Sequence, residues 1–453
     1  MVGTDEQTNF TRVGPGTPVI VWRRHPEWQT GEPIALDGVR RLVVLAAHPD
    51  DETLGAGGLV ATAAGLGLAV EIVCATDGEG NHPDSPTRTP EELAVVRAEE
   101  ARQAARALGV AVELVHRLAL PDGGLVDHEV ALTRHLVQVV GDGRETVIVA
   151  PWRRDGHPDH EAAGRAAAAA ARRTGADLWE YPLWFWHWGH PEDAPWAMLH
   201  PFALEDPALQ AKREAIRAHA SQVAPLSDLE GDETLLPPEF LAHFEQGPEH
   251  YLRTASADCP DDSLDRLHRE EADPWGVESR WYERRKRDLV LAMLPRPSFD
   301  RTFELGCSTG ALAEALADRS RQVLAVDRST AALAAARERF RDDDRVTVAD
   351  LDVPHDWPQD LSFDLVVVSE VGYFMSPAEL EQLVGRIAGS LGPDGVLVLC
   401  HWRHAVEGWV LDAEDVHAGF EDPRLPGLSA TYRDRDVEIR VHAHDHGWPD
   451  PLR

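Results

Sequence analysis

An α/β protein of two three-layer αβα domains joined by an acidic connector is what the sequence predicts, and three observations carry that expectation. The chain has 453 residues, about three times the usual size of one folding unit. Short apolar, β-rich runs alternate with Ala-rich helical patterns in two separate stretches, which is the signature of parallel βαβ units. Between those stretches lies a segment rich in Asp and Glu with little periodicity.

In the first stretch, strands are expected near Arg41 to Ala47, Ala69 to Ala75, Val112 to Val115 and Thr146 to Ala150, with helices starting near Leu54, Glu91 and Asp159. In the second, strands are expected at Arg301 to Leu305, Gln322 to Val326, Arg345 to Val348, Phe363 to Ser369 and Gly395 to His401. Ser429 to Tyr432 and Glu438 to His442 flank the turn-like Arg433 to Asp436 and read as a hairpin. The intervening segment, from about Val223 to Asp273, contains four prolines before Tyr251 and one candidate short helix near Pro238 to Glu245. No repeat period links the halves. The expected organisation is two Rossmann-like domains, residues 1–222 and 273–453, with residues 223–272 as the acidic connector.

A hydrophobic content of 43% with 27% charged residues is ordinary for a globular chain, and no apolar stretch approaches the roughly 20 residues needed to cross a bilayer. The start, MVGTDEQTNFTRVGPG, has neither a basic region nor an apolar run, so no secretory signal is expected and the location is read as cytoplasmic. Asp plus Glu number 78 against 44 Lys plus Arg, a net charge of −34 that would repel nucleic acid and anionic membranes. Lys212 and Lys286 are the only lysines. Cys74, Cys259, Cys307 and Cys400 form no C-x-x-C pair, so neither a disulfide framework nor a thiolate zinc site is indicated. Any metal would need His and carboxylate ligands.

Such residues cluster at two strand ends. Ala47-His48-Pro49-Asp50-Asp51-Glu52 follows the first strand, and Asp155-Gly156-His157-Pro158-Asp159-His160 follows the strand ending at Ala150; each opens a helix. Open α/β sheets bind ligands at the carboxyl ends of their strands, so both clusters should face one crevice. A hydrolytic zinc site needs about three protein ligands and an open position for water. His48, Asp51 and His160 can supply them, leaving Asp50 to take the water's proton. His157 would then stabilise the oxyanion or protonate the leaving amine, with Asp159 fixing its tautomer. Iron(II) suits the same ligands. His82 and His116 read as surface or core histidines, and the aromatic run from Trp179 to Trp188 reads equally as packing or as a sugar-stacking wall.

Over roughly residues 38 to 222, the His48-Pro49-Asp50-Asp51-Glu52, Pro121-Asp122-Gly123 and His157-Pro158-Asp159-His160 motifs resemble the PIG-L/LmbE family of zinc-dependent de-N-acetylases. The resemblance implies an LmbE-like fold and hydrolysis of N-acetyl groups on amino sugars and their conjugates. It implies the same assignment: His48, Asp51 and His160 as ligands, Asp50 as base and His157 as electrostatic or acid partner. Thr76-Asp77-Gly78-Glu79 and the Arg97-x-Glu99 helix also fit that family and would shape the substrate pocket.

In the second half, Glu304-Leu305-Gly306-Cys307-Ser308-Thr309-Gly310 leads from a strand into the helix Ala311 to Arg319. The next strand ends at Asp327, where an acid can receive both ribose hydroxyls. Ser308 occupies the middle glycine position of the dinucleotide fingerprint and its last glycine is absent, so a ligand without a pyrophosphate is expected.

This segment resembles a class I methyltransferase, which implies S-adenosyl-L-methionine as cofactor. Glu304, Gly306 and Gly310 would belong to its loop, Asp327 to the ribose and Asp350 to the adenine edge. More narrowly, Asp273-Pro274-Trp275-Gly276, Trp281-Tyr282-Glu283-x-x-Lys286 and Glu304-Leu305-Gly306-Cys307 are similar to the nodulation protein S family, which N-methylates a deacetylated glucosamine unit. Tyr282 would then lie on the cofactor, with Glu370 or Tyr373 near the acceptor, where either could take the amine's proton. His401-Trp402-Arg403-His404 reads equally as acceptor contact or packing.

The two halves imply one order of chemistry, because hydrolysis of an N-acetyl group creates the primary amine that methyl transfer needs. The expected protein is a bifunctional enzyme that de-N-acetylates a small-molecule amino sugar or glycoconjugate and methylates the freed amine. Alternatives are an amidase on a thiol conjugate with an independent O-methyltransferase, or one non-catalytic domain.

Overall fold

A computed structural model describes residues 16–444, so the start of the chain, where no secretory signal is expected, lies almost wholly outside the described residues. The chain forms two compact units. One extends to Cys259 except for Arg173–Gly175, and the other takes those residues together with the chain from Pro260 onward.

The first unit is built on a seven-stranded sheet of β1 (Arg41–Ala46), β2 (Ala69–Thr76), β3 (Val115–Leu120), β4 (Thr146–Pro151), β5 (Asp177–Tyr181), β6 (Leu199–Phe202) and β7 (Glu249–Thr254), in the order β3-β2-β1-β4-β5-β7-β6. The strands from β3 to β5 are parallel, and β7 runs antiparallel to both β5 and β6. β1 and β4 are nearly continuous apolar runs, buried along their length as parallel strands covered on both faces must be. Local chemistry agrees with the helices between them. Pro90–Ala107, for instance, begins with Pro90 behind Thr89, which forms a capping box with Glu92.

The expected connector over 223–272 is not a connector. Phe240, Leu241, Phe244, Tyr251 and Leu252 lie in the core of the first unit, and β7 completes its sheet. The acidity that suggested solvent exposure is partly internal. Glu249 is buried and accepts from the backbone N–H groups of Gly58 and Leu59, from Lys212 Nζ and from the Tyr251 hydroxyl. Buried Asp232 likewise accepts from the hydroxyls of Ser85, Thr87 and Ser227. Carboxylates with that many donors are core residues, and they explain why β7 carries no apolar signature. The third strand also begins where its expected span, Val112 to Val115, ends, because Val112–Leu114 forms a 3-10 turn.

The second unit has β8 (Phe299–Leu305), β9 (Ser320–Asp327), β10 (Val346–Asp350), β11 (Phe363–Ser369), β12 (Leu391–Trp402), β13 (Leu428–Arg433) and β14 (Val437–His442), in the order β10-β9-β8-β11-β12-β14-β13. β13 and β14 form the expected hairpin, and β14 lies antiparallel to β12. β12 begins at Leu391, earlier than the expected Gly395: Phe363 pairs with Leu391 and Leu365 with Val396, so the strand opens with a register irregularity. Residues 260–272 belong to this unit, where the helix Ser263–Glu270 packs on the helix Thr330–Arg339.

The two sheets therefore share one strand order, 3-2-1-4-5-7-6 when each is numbered from its own first strand. In each, the order reverses between the first and fourth strands, β1 and β4 or β8 and β11. The carboxyl ends of that pair open the crevice in which such sheets hold ligands.

Candidate active sites

In the first unit, the loop after β1 turns at Asp50, whose φ of 133° is costly for a residue with a side chain. The Asp50 carbonyl accepts from the N–H groups of Thr53 and Leu54, and the His48 N–H donates to Asp51 Oδ2 at 2.8 Å, which fixes the loop against the helix Asp51–Gly65. The helix Pro158–Thr174 brings in the second cluster after β4. Ligand atoms of His48, Asp51 and His160 all lie within 4.8 Å of one another, and all three residues are buried. His48 Nδ1 is 3.5 Å from Asp51 Oδ2, and His160 Nε2 is 3.3 Å from Asp51 Oδ1.

The outer nitrogens of both imidazoles are held by carboxylates. His160 Nδ1 lies 2.7 Å from Asp155 Oδ2, and Asp155 is itself fixed by the N–H groups of Leu183, Trp184 and Phe185. His48 Nε2 lies 3.1 Å from Asp122 Oδ1 and 3.2 Å from Asp159 Oδ2. With Asp155 holding the proton on Nδ1, His160 directs a lone pair from Nε2, which is buried and makes no hydrogen bond to the protein. An orphaned imidazole nitrogen beside a carboxylate and a second imidazole, each ring oriented from behind, fits a divalent metal ion. The charges agree. Burial opposes the shift at both histidines, yet Asp122, Asp159 and Asp51 raise His48 well above its usual range, while Asp51 and Asp155 push His160 up to about 9. Burial also opposes the shift at Asp51, whose carboxyl His160 and His48 hold well below the usual range.

Burial pushes the Asp50 carboxyl up to about 7 against the pull of Arg97. Arg97, itself buried, donates to the Gly78 carbonyl at 2.8 Å and the Pro49 carbonyl at 2.7 Å, and reaches Asp50 Oδ2 at 3.3 Å. A Cβ at Gly78 would fall 1.7 Å from Arg97 Nη1, so only glycine fits there. The rest of the Thr76-to-Glu79 segment lines the same wall, with Asp77 paired to Arg117 and Glu79 accepting from the Asp122 N–H. Glu99 is exposed and bonds Arg102 and Gln103, which removes it from the expected pocket wall.

Burial, with His160 and His48 close by, drives the His157 pKa far below its usual range and keeps the ring neutral. Asp159 orients this ring through its backbone, the N–H donating to His157 Nδ1 at 3.2 Å, while its carboxylate lies on His48 and accepts from the N–H groups of Gly123 and Leu125. His82 and His116 are engaged elsewhere, with the Glu233 carbonyl and with Glu71. The aromatic run divides. Trp179, Tyr181 and Trp186 are core, whereas half-buried Trp184 stacks on Trp188 at 4.6 Å and lies 26° from the plane of His157 at 6.4 Å.

In the second unit the loop from β8 passes through positive φ at Gly306 (68°), Ser308 (50°) and Gly310 (84°). A Cβ at Gly310 would meet the Phe340 ring at 2.6 Å. Asp327, ending β9, accepts from the N–H groups of Ser308 and Ser329, both at 2.9 Å, and Asp350 is its register partner on β10. Burial, reinforced by Asp327, pushes the Glu304 carboxyl up to about 8. Glu304 Oε2, Ser308 Oγ, Thr309 Oγ1 and the Tyr282 hydroxyl are buried without a hydrogen-bond partner among the described residues. Buried polar atoms in folded proteins are ordinarily paired, so this set fits a polar cofactor that supplies the partners.

Beyond β11, Glu370 has a φ of 59° and accepts from the Tyr373 hydroxyl. His401 is buried and serves as packing support: its Nε2 accepts the Gly372 N–H at 3.3 Å and its Nδ1 faces His417 Nε2 at 2.9 Å. His404, in contrast, pairs with Asp436 on the surface.

Each half of the chain is similar to known proteins. Residues 43–171 match the PIG-L family, described as GlcNAc-PI de-N-acetylase, and residues 303–395 match a methyltransferase domain family. The chain joins a PIG-L domain to a methyltransferase domain. The methyltransferase domain is similar to nodulation protein S of Sinorhizobium fredii (strain NBRC 101917 / NGR234), 30% identical over 151 residues that span 32% of this chain and 66% of that protein. The PIG-L half is similar to the 1D-myo-inositol 2-acetamido-2-deoxy-alpha-D-glucopyranoside deacetylase of Mycobacterium sp. (strain KMS), 27% identical over 281 residues that cover 51% of this chain and 89% of the other. Among solved structures, N-methyltransferase NodS from Bradyrhizobium japonicum WM9 in complex with S-adenosyl-L-homocysteine matches with a TM-score of 0.37 and 23% identity, over 41% of this chain and all of that one. Among the described residues no helix is long and apolar enough to cross a membrane.

Proposed function

We propose that the PIG-L domain hydrolyses the N-acetyl group of an amino sugar or its conjugate and that the methyltransferase domain N-methylates the amine so released. The observation that carries this reading is the occupancy of the same crevice in two like sheets: a hydrolytic donor set at one, a cofactor loop with a carboxylate–phenol pair at the other.

His48, Asp51 and His160 would hold zinc or iron(II), which when bound polarises the amide carbonyl and makes water nucleophilic at neutral pH. Asp50 accepts the attacking water's proton, with Arg97 holding its carboxylate in place. Because His157 Nδ1 accepts the Asp159 N–H, the neutral ring carries its proton on Nε2 and donates it as a hydrogen bond to the developing oxyanion. A ring kept neutral by its surroundings is a poor acid, so the proton for the leaving nitrogen comes from Asp50.

S-adenosyl-L-methionine would supply the methyl group as a sulfonium. Asp327 and Asp350 would hold its nucleoside, and Glu304, Gly306, Gly310 and Tyr282 the rest of it. Glu370 and Tyr373 receive the acceptor's N–H groups. An amide nitrogen has its lone pair delocalised into the carbonyl, so deacetylation must come first. The relatives' names support this substrate class, one being a deacetylase of an acetamido sugar joined to inositol. Four buried free cysteines fit a reducing, cytoplasmic setting.

Mass spectrometry of N-acetylated amino sugars incubated with the protein, zinc and S-adenosyl-L-methionine tests the reading. Loss of the acetyl group followed by gain of a methyl group is expected. Methylation of substrates that keep their acetyl group would overturn it.

A further inference from the structure

Lys286 lies on the helix Trp281–Met293 and is one of two lysines in a chain whose other cationic side chains are all arginine. Both lysines are buried, Lys212 at 1% and Lys286 at 8% exposure, and each sits in an ion pair. Here lysine is used only where a compact ammonium must fit inside. Lys286 Nζ is 2.7 Å from Glu283 Oε2, 3.3 Å from Glu370 Oε1 and 5.3 Å from the centre of the Tyr282 ring. The other oxygen of Glu370 accepts from Tyr373. One ammonium thus joins a carboxylate on a helix before β8 to a carboxylate in the strained turn after β11. Two half-buried carboxylates without it would repel each other and separate.

We infer that Lys286 is the positioning residue of the methyl-acceptor seat, holding Glu283 and Glu370 together so that two carboxylates and one ammonium leave a single excess negative charge that selects a cationic amine. This rests on the N-methylation proposed above and adds to it the recognition of the amine. Lys286 takes no part in the transfer itself: the acceptor's docked ammonium passes a proton to the Glu370 carboxylate, which frees the nitrogen lone pair that methylation needs. It sets where the acceptor nitrogen docks, through Glu370 and Tyr373. A guanidinium is a larger planar fork with different donor geometry, so arginine should replace lysine only in part.

The test uses the full-length protein and the member of a glucosamine-oligomer panel that the wild type methylates. Lys286→Met should raise KM for that amine roughly tenfold or more, the loss expected when a buried charged contact is broken, with a smaller fall in kcat and unchanged S-adenosyl-L-methionine affinity by calorimetry. Lys286→Arg should fall between. Intact cofactor affinity also reports that the variant is folded. Should Lys286→Met not fold, Glu283→Gln removes one carboxylate while leaving Lys286 on Glu370, and it too should raise KM. An unchanged KM in a folded variant overturns the inference alone. So does an equal loss of cofactor affinity, which would put Lys286 on the cofactor. A wild-type protein that methylates no amine in the panel removes the N-methylation reading and this inference together.

Discussion

The PIG-L and methyltransferase sites occupy the same position in sheets of the same strand order, yet they are built in opposite ways. In the first, the outer nitrogens of His48 and His160 are matched by Asp122, Asp159 and Asp155, and Asp50 by Arg97, so that among the three metal-ligand candidates only His160 Nε2 is buried without a hydrogen-bond partner, while Arg97 Nε and Glu79 Oε2 are unpaired in the surrounding wall. In the second, Glu304, Ser308, Thr309 and Tyr282 keep buried polar atoms unpaired around the cofactor loop. A site that must hold a small ion in one geometry is assembled by the protein itself. A site for a large polar cofactor leaves donors and acceptors for that molecule to complete.

The largest effect should come from Asp50. Asp50→Asn should lower amide hydrolysis by about 10²–10⁴-fold while the metal stays bound, and a fully active variant would show that another group is the base. Because Asp50 works as a carboxylate and burial sets it at about 7, the wild-type rate should rise with pH as this group ionises, and a bound cation would move that limb lower. Next, Asp155→Asn keeps the ligands but loosens His160 from behind, so zinc affinity measured by competition with a chelator should fall about 10–100-fold. An unchanged affinity would mean the site is not built outward from its carboxylates.

In the methyltransferase domain, Asp327→Ala should weaken S-adenosyl-L-methionine binding roughly tenfold by calorimetry, with hydrolysis untouched. The smallest effect sharpens the contrast from the side of stability. Glu304 has a folded pKa of about 8 against an ordinary 4.5, so the cofactor-free fold retains a proton that the unfolded chain gives up. Stability is therefore lost as pH rises from about 4.5 to 8. Glu304→Gln should remove that loss. The Tm of the cofactor-free variant should exceed wild type by a margin that grows from pH 5 to pH 8, and a constant margin would contradict the buried-acid account.

Much of this was legible in the residues. His48, Asp51 and His160 could be read as one set because each cluster follows an apolar strand and opens a helix, and the structure brings them together. Gly306, Asp327 and Asp350 lie at the ends of neighbouring parallel strands, where the alternation of apolar runs and helices puts them. What escaped was long-range or internal. Asp155 stands beside the His157 motif, but only the fold shows that it faces His160. Arg97 becomes the partner of Asp50 only when Gly78 leaves room for it. The acidic stretch after residue 222 reads as a connector because composition cannot distinguish a solvated carboxylate from Glu249, which four buried donors hold inside the core.

The central claim is that the two reactions run in series, with hydrolysis making the methyl acceptor. Asp50→Asn protein given methyl-labelled S-adenosyl-L-methionine and the N-acetylated substrate should transfer no label, yet should label the chemically deacetylated amine at the wild-type rate. Label on the still-acetylated compound, or none on the free amine, would contradict the account.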